Sequence, residues 1–91
     1  MICRYYVVRG RVQGVFYRAS AQEQAAALAL LGWVRNRADG AVELVACGDE
    51  TQLVLLENWL WQGPPLAKVE AVEASEADPE SSQFDHFHIR Y

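Results

Sequence analysis

Positive charge is scarce in this 91-residue chain. Eight Lys and Arg stand against twelve Asp and Glu, for a net charge of −4. A general nucleic-acid binder needs a basic face, so that class is disfavoured, although a local positive pocket for a small anion is not. Long apolar runs are also missing, and no segment approaches the ~20 residues that span a membrane. The opening Met1-Ile2-Cys3-Arg4 lacks the apolar stretch of a secretory signal, so a cytoplasmic location is expected. No cluster of residues has metal-ligand spacing, and no cofactor or metal is expected. What is present is a hydrophobic content of 52%, which is incompatible with disorder. A chain of this length buries somewhat over ~60% of its unfolded surface, enough for one core and one domain over residues 1–91.

Periodicity divides the chain into alternating elements. Ile2 to Arg9 reads as a strand, with Tyr6 and Val8 facing one way and Cys3, Tyr5 and Val7 the other. Tyr17 to Leu31 reads as a helix, with Ala21, Ala25, Leu28 and Leu31 on one side and Gly32 as its left-handed cap. Trp33 to Arg37 and Ala41 to Cys47 read as strands joined by an Asp39-Gly40 hairpin. A second helix starts at Asp49, where Asp49 and Gln52 have capping-box spacing. It buries Leu53, Leu56 and Leu60, and Gly63-Pro64-Pro65 stops it. Val69 to Ala74 reads as a strand whose alternation slips, and 78–82 as a polar loop. From Phe84 to Tyr91, alternation places Phe87, Ile89 and Tyr91 inward and His86, His88 and Arg90 outward. The β-α-β-β-α-β order predicts an α+β, ferredoxin-like antiparallel sheet with both helices on one face. The first and third strands are then central neighbours, and the opposite sheet face is open.

The stretch Gly10-Arg11-Val12-Gln13-Gly14-Val15-Phe16-Tyr17-Arg18 joins the first strand to the first helix. Helix N-termini present unpaired N–H groups and a favourable dipole to anions. Gly10 and Gly14 permit backbone angles that let successive N–H groups converge. Arg18 adds a planar fork that fits two phosphate oxygens. On the residues alone, two readings stand: a phosphate cradle, or a tight turn beside a surface arginine. The usual nucleotide loop is not present, since no Gly-Lys-Ser/Thr follows.

These residues resemble the first motif of the acylphosphatase family, Gly-x-Val-Gln-Gly-Val-x-(aromatic or Met)-Arg. Gly32-Trp33-Val34-Arg35-Asn36, Gly40, Val42 and Gly48 resemble its second. The resemblance runs from the first strand to His88-Ile89-Arg90-Tyr91. It implies the ferredoxin-like fold and hydrolysis of the carboxyl-phosphate bond of small acyl phosphates, with phosphate and similar anions as inhibitors. A carboxylate is a good leaving group, so neither a general acid nor a metal is demanded. Positioning and charge stabilisation remain. Backbone N–H groups from Arg11 through Val12, Gln13, Gly14, Val15, Phe16 and Tyr17 to Arg18 would hold the phosphate. Arg18 would neutralise it, and Asn36 would aim the attacking water, since a carboxamide both donates and accepts. Read without the resemblance, Asn36 is a polar residue near a turn.

The remaining polar clusters have plainer readings. His86 and His88 form a solvent-facing pair without a third ligand. Trp33 and Trp59 belong to the core or its edge, with Trp61 at the surface. Glu70, Glu73, Glu76, Asp78 and Glu80 form a solvated acidic edge. Cys3 and Cys47 come side by side on the open face if their strands are antiparallel neighbours. A disulfide is then geometrically possible, although the cytoplasm disfavours one. Two other functions compete with the enzyme. One is a non-catalytic module of the same family that binds an anion or a partner. The other is an RNA-recognition domain with the same element order. The absence of aromatics in Ala41–Cys47 and the negative charge weigh against RNA.

Overall fold

The structure is a computed structural model that describes residues 1–78 and 84–91. Residues 79–83, with most of the expected polar loop and Glu80, lie outside the described residues. In chain order the elements are β1 (Ile2–Arg11), α1 (Tyr17–Ala27), β2 (Leu31–Asn36), β3 (Val42–Gly48), α2 (Glu50–Gln62), β4 (Lys68–Glu76) and β5 (Phe87–Ile89). The strands form one sheet in the order β4-β1-β3-β2-β5. Both helices cover one face. Tyr6, Val8, Val34, Leu44 and Ala46 pack there against Ala21 and Ala25 of α1 and Leu53, Leu56 and Leu60 of α2. The small side chains at 21 and 25 let α1 lie close to the strands. This is the ferredoxin-like α+β fold.

The sheet is mixed, which corrects the expectation of a purely antiparallel one. β5 runs parallel to β2, with Gly32 opposite Phe87 and Val34 opposite Ile89. The direction follows from the topology. β4 runs opposite to β1, and β2 runs along β1. A chain that turns back after β4 therefore meets the far edge travelling with β2. Tyr91 lies past the end of β5 and is 98% exposed, so its expected inward position is also corrected.

Helix α1 ends at Ala27, not at Leu31, and its left-handed residue is Ala29 (φ 58°), not Gly32. Ala29 N–H donates to the Ala26 carbonyl at 3.0 Å, and Leu30 N–H donates to the Ala25 carbonyl at 2.9 Å. This pair of bonds is the Schellman termination. It turns the chain early enough to bury Leu30. Gly32 instead lies within β2, where its backbone closely approaches Val45 of β3. Gly10 has a similar reason. A bulge at Arg9/Gly10 pairs Arg9 with Ala71 and Gly10 with Val69, leaving Glu70 over, and a Cβ at position 10 would meet the β4 backbone. That bulge also explains the slipped alternation, because it lets Val69 and Val72 both pack on the core. Asp49 does precede α2, but its side chain makes no capping bond.

The open face carries a second, smaller cluster of Cys3, Trp33, Val45 and Cys47. Cys3 stands opposite Cys47 and is joined to it by a disulfide, with the Cα atoms 4.1 Å apart. The guanidinium groups of Arg35 and Arg90 lie over the Trp33 ring, 5.1 and 4.7 Å from its centre. Trp33 thus belongs to the open face and not to the helix-covered core. Trp59 packs against that core, and Trp61 is exposed. Glu43 is buried on the open face and is satisfied there. Tyr5 donates to it at 2.8 Å and Arg35 at 3.0 Å. Glu70, Glu73 and Glu76 are exposed along edge strand β4, with Glu73 paired to Arg9 at 2.9 Å. Among the described residues, no helix is long and apolar enough to cross a membrane.

Candidate active site

The segment between β1 and α1 is anchored by its apolar residues. Val12 and Val15 are buried in the core, while Gly14 and Phe16 are exposed. Gly14 has φ 75° and Phe16 has φ 65°, so the loop passes through two left-handed residues immediately before the helix. For Phe16 that conformation costs roughly 1–2 kcal/mol. Strain of this kind accumulates where function needs a particular backbone shape. Ser20 N–H donates to the Phe16 carbonyl at 3.1 Å, which starts α1. The N–H groups of Tyr17, Arg18 and Ala19 therefore belong to the first helical turn and have no intrahelical acceptor.

Tyr17 fixes that helix end. Its ring is buried 5.5 Å from Trp59, and its hydroxyl donates to the Leu60 carbonyl at 2.6 Å. Burial pushes the phenol pKa well up, so it stays protonated and keeps donating. The start of α1 is thereby tied to the end of α2.

A cavity of about 300 Å³ opens at this helix terminus. Val12, Gly14, Phe16, Tyr17, Arg18 and Ala19 line one side, and Asn36, Ile89 and Tyr91 line the other. Arg18 and Asn36, far apart in sequence, meet at this one hollow. Arg18 is half-buried, and among the described residues no carboxylate pairs with it. Its guanidinium lies 5.0 Å from the centre of the Tyr91 ring. Asn36 closes β2 opposite Val42. Its Oδ1 is buried and accepts no hydrogen bond from the described protein groups. A buried carbonyl left this way costs about 1–3 kcal/mol, and Asn36 is among the residues that line the cavity.

Not every expected cradle residue reaches the cavity. Arg11 ends β1 opposite Lys68 and is exposed, Val15 is in the core, and neither lines it. Gln13 turns away, and its Nε2 donates to the carbonyls of Arg37 and Ala41, each at 2.8 Å. Sequence reasoning missed three lining residues: Ala19, which directly follows Arg18, and Ile89 and Tyr91 from the far edge of the sheet. The signal that would have found Ile89 and Tyr91 is the parallel register. Continued past Val34–Ile89, it brings Tyr91 beside Asn36.

The histidine pair stands apart from this site. The His86 and His88 rings are 5.2 Å apart, with His86 exposed and His88 half-buried. Partial burial, Arg90 and His86 together lower the His88 pKa. Among the described residues, no group of three or more His, Cys, Asp or Glu side chains could hold a metal ion.

Comparison with known proteins bears on the family and the fold. The acylphosphatase family model matches residues 4–89. An acylphosphatase of Xanthomonas oryzae pv. oryzae is 61% identical over 67 residues, covering 74% of this chain and 76% of the relative. The structure of an acylphosphatase from Coxiella burnetii is 44% identical, with a TM-score of 0.92, covering 98% of this chain and 92% of that one. The crystal structure of acylphosphatase from Bacillus subtilis is 37% identical and aligns over 100% of both chains with a TM-score of 0.94. With two sequence motifs, a shared fold and near-complete coverage in agreement, this chain belongs to the acylphosphatase family.

Proposed function

We propose that the chain hydrolyses acyl phosphates to a carboxylate and inorganic phosphate at the cavity shared by Arg18 and Asn36. The phosphate group sits at the α1 N-terminus, against the loop between Val12 and Phe16. N–H groups there and the Arg18 guanidinium take its oxygens. Asn36 Oδ1 accepts a hydrogen bond from a water and aims the water oxygen at phosphorus. As that oxygen bonds to phosphorus, the bond from phosphorus to the bridging oxygen breaks, and its electron pair leaves on the carboxylate. The water proton passes to a phosphoryl oxygen or to solvent, so no protein base is needed. Catalysis then rests on preorganised charge and orientation.

The observation that carries this reading is that Asn36, whose Oδ1 is unsatisfied, and Arg18, which no carboxylate among the described residues pairs with, line one cavity at a helix terminus. Small anions such as phosphate should compete with substrate there. A nucleic-acid partner is disfavoured by the net charge of −4. A cytoplasmic setting goes with this reading, and the Cys3–Cys47 bond weighs against it, because cytosolic reductants keep thiols reduced.

The test is release of phosphate from a synthetic acyl phosphate in the presence of excess EDTA. Sustained release supports the mechanism. Loss on dialysis against chelator, with recovery on adding a divalent ion, would overturn it. Phosphate binding without any hydrolysis would leave the binding-module reading in its place.

A further inference from the structure

Gln13 lies in the middle of the loop, next to Gly14, yet its side chain does not face the cavity. Both hydrogens of its carboxamide nitrogen are engaged elsewhere, on the carbonyls of Arg37 and Ala41 at 2.8 Å each. Those carbonyls form the neck of the β2–β3 hairpin, where Arg37 N–H also donates to the Ala41 carbonyl at 2.8 Å. Arg37 directly follows Asn36. Among the described residues, no other hydrogen bond joins the loop at 12–16 to the hairpin at 36–41. One side chain therefore connects the backbone expected to hold phosphate to the peptide beside the residue expected to hold water.

We propose that Gln13 is a positioning residue that sets the distance and angle between the phosphate cradle and Asn36. The proposal rests on the acylphosphatase reading above. Its logic is geometric. The cradle is held on its own side by the buried Val12 and Val15 and by the Tyr17–Leu60 bond. Asn36 is held on its side by β2 pairing with β3. The sheet relates the two coarsely, through β1 pairing with β3 and β3 with β2, and the Gln13 bonds tie the loop itself to the hairpin. A displacement of about 1 Å between reacting groups can lower a rate ~100-fold while each half still binds its own ligand.

This predicts a split between kcat and anion affinity. Gln13→Met keeps the length and removes both donors. Its kcat should fall roughly 10- to 100-fold, while the inhibition constant for inorganic phosphate stays within about 3-fold of the parent value. In the Asn36→Ala background, Gln13→Met should cost little more, because the two residues act through the same water. Gln13→Glu offers no donor when ionised and one when protonated, so its activity relative to the parent should recover as pH falls. That arm also serves if Gln13→Met does not fold. An unchanged kcat in folded Gln13→Met would overturn the proposal. So would phosphate affinity falling in parallel with kcat, or full additivity with Asn36→Ala. A readout independent of turnover is hydrogen exchange of the 37–41 amides, which Gln13→Met should accelerate. If the parent hydrolyses no acyl phosphate, the functional reading fails on its own. The exchange measurement then still decides whether Gln13 holds the hairpin.

Discussion

Gly32 and Val45 pack so closely that a methyl group on Gly32 would fall inside the Val45 carbonyl oxygen. Gly32 also has φ 142°, a backbone angle that side chains resist. The glycine that opens the second motif therefore serves the contact between β2 and β3, and Asn36 stands four residues further along the same strand. Gly32→Ala should destabilise the fold by about 3 kcal/mol or more, because neither backbone can yield cheaply. A urea unfolding midpoint checks this. Near-parent stability would mean that the strands separate more easily than their register suggests.

Ala29 presents the opposite case, a left-handed residue that is not glycine. It is exposed, so its methyl group contributes little packing. Ala29→Gly should stabilise the protein by about 0.5–1 kcal/mol, relief of the left-handed strain outweighing the added freedom of the unfolded chain. Thermal unfolding should show a higher midpoint with activity unchanged, since Ala29 lies at the far end of α1 from the cavity.

The disulfide lies on the open face, away from the cavity. Its two cysteines are 44 positions apart. Closing a loop of that length is worth roughly 4 kcal/mol in the chain-entropy model. Reduction should therefore lower the unfolding midpoint markedly while leaving turnover at 25 °C close to that of the oxidised protein. Parallel loss of stability and activity would show that the β1–β3 link reaches the loop.

Asp39, in the hairpin turn, gives the pH dependence. The Ala41 N–H donates to its carboxylate at 3.2 Å, and Arg37 pairs with it at 3.0 Å. These interactions, the backbone bond first, hold its pKa below the usual carboxylate range. A depressed carboxylate stabilises the fold above its unfolded pKa of about 4 and loses that contribution as pH falls through the folded value. Asp39→Asn should thus destabilise at pH 7 and converge with the parent in strong acid. An Asp39 NMR titration midpoint at or above 4 would contradict this.

Much of the architecture was legible because strands repeat every two residues. The faces of β1 place Tyr6 and Val8 in the core and, given an antiparallel β3 beside it, Cys3 opposite Cys47. Leu53, Leu56 and Leu60 were equally clear. The end of α1 was not, because the alanine run carries no stop signal and Ala29 took the conformation that glycine usually supplies. Alternation put Tyr91 inward because a period does not show where a strand stops, and β5 stops at Ile89. The motifs named Arg18 and Asn36, but only the fold brings them to one cavity. The direction of the Gln13 side chain was invisible, since a loop has no period.

The two motif residues have different assigned roles, so their variants should fail differently. Asn36→Ala removes the proposed water guide and leaves the α1 terminus and Arg18 in place. Phosphate should still inhibit with near-parent affinity, while turnover falls by about two to three orders of magnitude, as when one preorganised hydrogen-bonding group is lost. Arg18→Ala takes charge from the cradle itself, so phosphate affinity and turnover should fall together. Arg18→Lys should recover only part of either, because a point charge replaces a planar fork and its stacking on Tyr91 is weakened. Each variant is compared only after its unfolding midpoint matches the parent. If folded Asn36→Ala kept near-parent turnover, the attacking water would have to be held elsewhere. The unpartnered Oδ1 would then need a structural reason instead of a catalytic one.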